Sequence, residues 1–381
     1  MNVVIIARAL IPSILLCGHK QLEYLQAQGK LNYRFVPAAR ITDKDLSWAD
    51  TIIFVRSESY LEYYASQIAR KNGRHLIYVL DDDLLNVPRY VSSGPYYNRP
   101  AIKENIRKTM ANCHTFLTTS PVMLERYGKD FPEAFLIDEP SLDVVAEKKE
   151  NEKVRIGFAG SIDRTQDVNQ ILEESLISIL EKYGDRIEIE FMGAHPDIIE
   201  RYQLSYVPYQ DSYERYTEVM RQRSWDIGLA PMPISAFHEC KYFNKYVEYA
   251  SCGTVGIYTD CKPYIYGIRD RRNGLLVKNE TEAWVEALEL LIENEDLRRQ
   301  LCRECIREAS ERYSLPVLAE DYLTKILVGY EEKQRTLTSG LGIYRVKSFC
   351  IRLIDKIVEQ KLRFPFWVVK YIYLKITGKQ G

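Results

Sequence analysis

His238, Glu239, Cys240, Lys241, Lys245 and Glu248 crowd into one short stretch of this 381-residue chain. Lysines and carboxylates at that spacing suit a ligand that is both charged and rich in hydroxyls. Lys245 and Glu248 stand three apart, which puts them on one face of a helix beginning near Asn244. A carboxylate so placed can accept both hydroxyls of a ribose, as acidic residues do in nucleotide sites. Lys241 and Lys245, beside the free N–H groups of a helix start, can hold a diphosphate. A surface Lys–Glu pair worth roughly a few tenths of a kcal/mol is the simpler account of any single pair. It accounts less well for the whole cluster.

The flanking sequence supplies the elements that must position this cluster. Asp226-Ile-Gly-Leu-Ala-Pro precedes it as a strand with a proline elbow, and Gly253 closes the helix before a second strand over Thr254–Tyr258. Strand, loop, helix, glycine stop and strand make a βαβ unit, whose ligands bind beyond the carboxyl ends of the strands. The same grammar runs along the chain. Short β-branched runs at Val3–Ala7, Tyr33–Val36, Thr51–Val55, His75–Leu80 and Thr115–Thr119 alternate with helical stretches such as Leu15–Gln28, Tyr60–Asn72 and Ala101–Cys113. The charged run Glu147–Lys153 reads as a hinge, after which the pattern restarts with strands at Val154–Gly160 and Ile187–Met192. The expected fold is α/β: two Rossmann-like, doubly wound domains facing a cleft, over residues 1–150 and 151–313. A helix at 314–335 and a basic tail at 336–381 complete the plan.

Other features bound the function. The formal net charge is −1, with 46% apolar and 28% charged residues, so there is no global case for a nucleic-acid partner. The eight cysteines are scattered, and Cys302 with Cys305 reads as two ordinary helix positions. No signal peptide and no membrane-spanning run is expected, which predicts a reduced, cytoplasmic protein. His19, His75, His114 and His195 have no nucleophile partner in the pattern and read as structural or surface residues. An NAD(P) oxidoreductase would need a G-x-G-x-x-G turn after a strand, and none is present. Asp81, Asp82 and Asp83 end a strand at the expected cleft. Three adjacent carboxylates cannot all stay ionised if buried, so one of them is a candidate for a raised pKa and proton transfer, with Asp82 the residue of most interest. Metal binding by the triplet and simple capping of a turn are the other readings. The stretch 343–381 holds nine Lys/Arg and two acids, interleaved with aromatics. It suits an amphipathic helix on an anionic membrane at the inner face, or equally a helix whose aromatics pack on the protein.

Asp226-Ile-Gly-Leu-Ala-Pro, Phe237, Cys240-Lys-x-x-x-Lys-x-x-Glu-Tyr-Ala-x-x-Gly253, Pro263-Tyr264, Gly274-Leu-Leu-Val277 and Trp284 resemble the group 1 glycosyltransferases (glycosyltransferase family 4-like). The resemblance implies the GT-B fold and a retaining transfer of sugar from a nucleotide-diphosphate donor to a glycan or lipid-linked acceptor in cell-surface polysaccharide synthesis. It implies no cofactor and no metal. The family carries two glutamates separated by seven residues, and Glu248 matches the second, which binds ribose. The first falls on Cys240, with Glu239 one position earlier. Donor-binding candidates are thus Gly160, Ser161, Arg164, His238, Cys240, Lys241, Lys245 and Glu248, and catalytic candidates are Asp82, Glu239 and Lys245. The alternative is a non-catalytic GT-B-like protein that binds a nucleotide or glycan and acts through its basic tail.

Overall fold

The computed structural model describes residues 1–145, 148, 151–331 and 339–359. Two six-stranded sheets dominate it. The first contains β1 (Asn2–Ala7), β2 (Asn32–Pro37), β3 (Thr51–Val55), β4 (His75–Leu80), β5 (Thr115–Thr118) and β6 (Glu133–Leu136) in the order β2-β1-β3-β4-β5-β6. The second contains β7 (Val154–Gly160), β8 (Ile187–Gly193), β9 (Ser205–Val207), β10 (Ile227–Ala230), β11 (Val255–Thr259) and β12 (Leu275–Val277) in the order β12-β11-β10-β7-β8-β9.

Every strand pairing is parallel. Runs such as Asn-Val-Val-Ile-Ile-Ala in β1 and Thr-Ile-Ile-Phe-Val in β3 are buried along their whole length. That is the burial expected when helices cover both faces of a parallel sheet. Each sheet winds outward in both directions from a central pair, β1/β3 in one and β7/β10 in the other. The loops leaving these central strands separate to opposite faces and open a crevice at their carboxyl ends.

Strands β6 and β9 are too short and too polar to stand out in the sequence, and register with β5 and β8 is what makes them strands. The chain has crossed between the halves by Leu142, which is buried in the core of the second half, ahead of the charged run read as a hinge. Of that run, residues 147, 149 and 150 lie outside the described set. Cys302 and Cys305 are buried in one helix and donate to the carbonyls of Gly253 and Asn273.

The second half also completes the first. Helix Leu315–Leu327 returns to pack against helix Lys20–Ala27, and its Ala319, Tyr322 and Ile326 join the core beneath β1, β3 and β4. The close approach falls on Gly18 (φ +156), where a Cβ would lie 2.6 Å from the Tyr322 hydroxyl oxygen. Cys17 and Gly18 therefore break regular helix geometry within the predicted helix Leu15–Gln28. On the other face of the sheet, Phe237 and Cys240 from the second half sit in the core of the first.

Helix Leu341–Glu359 begins the basic tail and lies against helix Tyr60–Lys71. Tyr344 stacks on Tyr64 with ring centroids 3.8 Å apart, and Leu341 is buried. Ile343 and Val346 stay exposed. Residues 360–381 of the proposed amphipathic stretch lie outside the described set. Among the described residues no helix is long and apolar enough to cross a membrane.

Candidate active site

A cleft of about 780 Å³ opens between the carboxyl ends of the two sheets, lined by the segments after β1, β4, β7, β8 and β10. Its floor on the side of the second half is made by glycines. Gly160 and Gly193 end β7 and β8 in register, and a Cβ on Gly193 (φ +83) would lie 2.2 Å from the Gly160 carbonyl oxygen. Neither strand end presents a side chain that would fill the cleft. Helix Asn244–Ser251 points its first turn into the same space, and no side chain caps it. Its leading N–H groups and its dipole thus face the cleft, which suits an anion.

Glu248, buried on that helix, accepts from the Tyr216 hydroxyl at 2.8 Å and from Lys245 Nζ at 2.5 Å. Lys245 Nζ also donates to the Tyr216 hydroxyl at 3.0 Å. This triangle fixes a carboxylate and an ammonium on one wall. Tyr216 comes from helix Tyr213–Arg223 and is held there by packing on Tyr213. Arg164 pairs with Asp167 at 2.6 Å and donates to the Pro231 carbonyl, so it braces the loop after β7 against the loop after β10.

Across the cleft, the three aspartates after β4 diverge. Asp81 pairs with Arg56 at 3.0 Å. Asp83 faces Arg126 and accepts from the Tyr127 hydroxyl at 2.7 Å. Asp82 accepts from Lys241 Nζ at 3.0 Å, a contact between the halves, with Arg56 at 3.7 Å. Burial pushes the Asp82 carboxyl up, but Lys241 and Arg56 outweigh it and hold it below the usual carboxylate value. Asp82 is therefore not the aspartate with a raised pKa that the triplet led one to expect. Each aspartate has its own cation, and the charges are not left to repel one another. Among the described residues no three His, Cys, Asp or Glu are grouped to hold a metal ion.

Two of the expected donor residues, His238 and Cys240, and the catalytic candidate Glu239 are placed away from the cleft lining. Residues His238–Cys240 form one 3-10 turn. In such a turn side chains three apart eclipse, so Cys240 points the same way as its apolar neighbour Phe237. Both enter the core of the first half, where the Cys240 thiol lies 3.9 Å from Asp83 and burial pushes its pKa up to about 11. Glu239 turns outward, with Lys262 3.9 Å away. His238 is buried against Ser235 Oγ at 2.8 Å, and burial, with Lys241 and Arg164 adding to it, lowers its pKa to about 4.

Two cleft residues escaped the sequence reading. Tyr216 carries a readable sign, since it shares a helix face with Tyr213 at i, i+3. Glu139 carries none, because it lies in an irregular segment after β6. It is buried at the cleft floor, and the Cys17 thiol approaches it at 3.6 Å. Burial, reinforced by Asp81 and Glu248, pushes its carboxyl well above the usual range.

No protein-family model and no curated protein matches the sequence. Solved structures do match the fold. A glycosyltransferase from Rickettsia africae superposes with a TM-score of 0.62 at 12% identity, covering 87% of this chain and 99% of that one. Anabaena HepE, solved in complex with UDP and glucose, gives 0.57 at 12% identity over 85% of this chain and 98% of its own. The chain has the GT-B fold. Sucrose-phosphate synthase from Thermosynechococcus elongatus shares it, with a TM-score of 0.59 at 11% identity over 87% of this chain and 100% of that one. Within the GT-B frame, Gly160, Ser161, Arg164, Lys241, Lys245, Glu248 and Asp82 line one cleft, while His238, Glu239 and Cys240 stand behind it.

Proposed function

We propose that this protein is a glycosyltransferase that takes its sugar from a nucleotide-diphosphate donor. The observation that carries the reading is the uncapped helix start at Asn244 with Lys245 and Glu248 on its inner wall, set at the β7/β10 crevice. Glu248 would receive the ribose hydroxyls. The first-turn N–H groups with Lys245 and Lys241 would hold the diphosphate and stabilise the charge that grows on it as the sugar departs. The glycine floor leaves room for the diphosphate to lie close to the backbone. The glycosyltransferases that share the fold support the reading, as does HepE, a neighbour crystallised with UDP and glucose. We extend it to a retaining transfer onto a glycan or lipid-linked acceptor in cell-surface polysaccharide synthesis, as the sequence resemblance implies, with no metal required. The basic tail would hold the enzyme at an anionic membrane face.

Calorimetric titration with UDP, GDP, ADP and CDP, followed by product analysis with the matching nucleotide sugars, tests this. Micromolar binding of one diphosphate and transfer of its sugar to an added glycan acceptor are expected. Binding without turnover of any sugar donor would leave a non-catalytic GT-B-like module in its place, and the absence of any nucleotide binding would sink the transferase reading and leave only a glycan-binding module.

A further inference from the structure

Asp81 and Glu139 approach the cleft floor from the first sheet and from the segment that leaves it. Both are more than nine-tenths buried, at 8% and 7% exposure. Asp81 Oδ2 is engaged by Arg56, yet its Oδ1 is buried without a hydrogen-bond partner. An acceptor left unsatisfied in a buried position costs about 1–3 kcal/mol, so a ligand donor there is favoured. Glu139 has the complementary deficit. Its carboxyl meets the Cys17 thiol, and among the described residues no cation lies within ion-pair distance of it. The charged and titratable groups facing it are Cys17 beneath, Asp81 and Asp82 after β4, Glu248 on helix Asn244–Ser251, and the hydroxyls of Tyr213 and Tyr242. None of these groups is a cation, and three are carboxylates. Such a setting keeps a carboxyl protonated, and a protonated carboxyl offers one O–H donor. Arg56 balances the charge of Asp81, so the pair does not draw a cation. An unpaired acceptor and a protonated carboxyl lining the same cleft floor match a hydroxyl group, which both donates and accepts.

We propose that Asp81 and Glu139 form a subsite for a hydroxyl of a neutral sugar, Asp81 accepting from it and Glu139 donating to it. That the sugar is a hexose rests on the nucleotide-sugar reading above. It reaches the site either as part of the donor or as a separate glycan. In either case Glu139 positions the sugar and need not exchange a proton during transfer.

The wild type, Glu139→Ala and Glu139→Gln are titrated with UDP, with UDP-glucose, with UDP-galactose and UDP-N-acetylglucosamine, and with the three free sugars, each with and without saturating UDP. Glutamine keeps a donor and an acceptor at the site, so it should bind sugar within about threefold of wild type. Alanine should weaken sugar binding at least tenfold while leaving UDP affinity within twofold. A loss confined to UDP-sugars places the donor's sugar at the subsite, and a loss confined to free sugars places the acceptor there. Wild-type sugar affinity should also fall at alkaline pH as Glu139 ionises, and the glutamine variant should lack that fall. Equal sugar binding by wild type and alanine variant, equal damage in both variants, or no sugar binding by the wild type overturns the proposal. Failure of UDP alone to bind counts against a uridine donor, not against the nucleotide reading as a whole, and the free-sugar arm still decides this one.

Discussion

Lys241 Nζ and Asp82 Oδ1 meet at 3.0 Å across the cleft, one from each half of the chain. The lysine proposed to hold a diphosphate is thus already paired with a carboxylate. A nucleotide must take Lys241 from Asp82 or share it. Asp82→Asn removes the competing charge and should tighten UDP binding about two- to fivefold, the scale of a partly exposed ion pair. Lys241→Ala should weaken it about tenfold. Calorimetry reads both, and weaker UDP binding by the asparagine variant would show that Lys241 needs Asp82 to be held in place.

Glu248 is the carboxylate assigned to the ribose. Replacing it with glutamine keeps the shape but removes the charge-assisted bonds, each worth about 1.5–3 kcal/mol. Glu248→Gln should weaken UDP binding about 10- to 100-fold, with a smaller loss for 2′,3′-dideoxy-UDP. Equal losses for the two nucleotides would mean that Glu248 serves only to hold Lys245.

The resemblance to group 1 glycosyltransferases sets a glutamate where Cys240 stands, which invites the repair Cys240→Glu. The structure argues against it. A new carboxylate would enter the core of the first half beside Asp83, where burial and like charge both oppose it. A loss of about 3 kcal/mol or more is expected in chemical denaturation, with no gain in sugar transfer. Cys240→Ala should cost about 1 kcal/mol and leave transfer intact.

His238 is buried as the neutral base, with its pKa lowered to about 4, against about 6.5 when unfolded. The folded value is the lower one, so the native state resists protonation. Stability is full above about pH 6.5 and falls as the pH drops toward 4, by about 3 kcal/mol in total at 1.36 kcal/mol per unit. His75, lowered to about 4 by burial and by His114, adds a loss of the same sign. His238→Gln should flatten part of the acid limb of denaturant midpoint against pH. An unchanged limb would show that protonated His238 finds room to turn outward.

Strand identity was legible because β1, β3, β4 and β11 are apolar runs with polar residues only at their ends, and a parallel sheet buried on both faces needs such runs. The cluster from Lys241 to Glu248 was legible because helix periodicity alone sets Lys245 beside Glu248. What could not be read was direction. The side chains of His238, Glu239 and Cys240 depend on a tight 3-10 turn anchored by Phe237, and the anchor lies in the other half of the molecule. The aspartates after β4 looked like a strained cluster, because Arg56, Arg126 and Lys241 are far away in sequence. Glu139 had no pattern at all, since its environment is assembled from Cys17, Asp81 and Glu248.

The core of the first half remains open until Phe237, Cys240, Tyr322, Ile326 and Leu341 arrive from beyond it. On a ribosome this reverses the usual order of maturation. The residues up to about 150 emerge first, yet the last of the side chains that seal them, Leu341, follows roughly 190 residues later. At about 5–20 residues per second that is a wait of roughly 10–40 s. Throughout it the β1–β4 layer offers an apolar face to any other nascent chain or chaperone nearby.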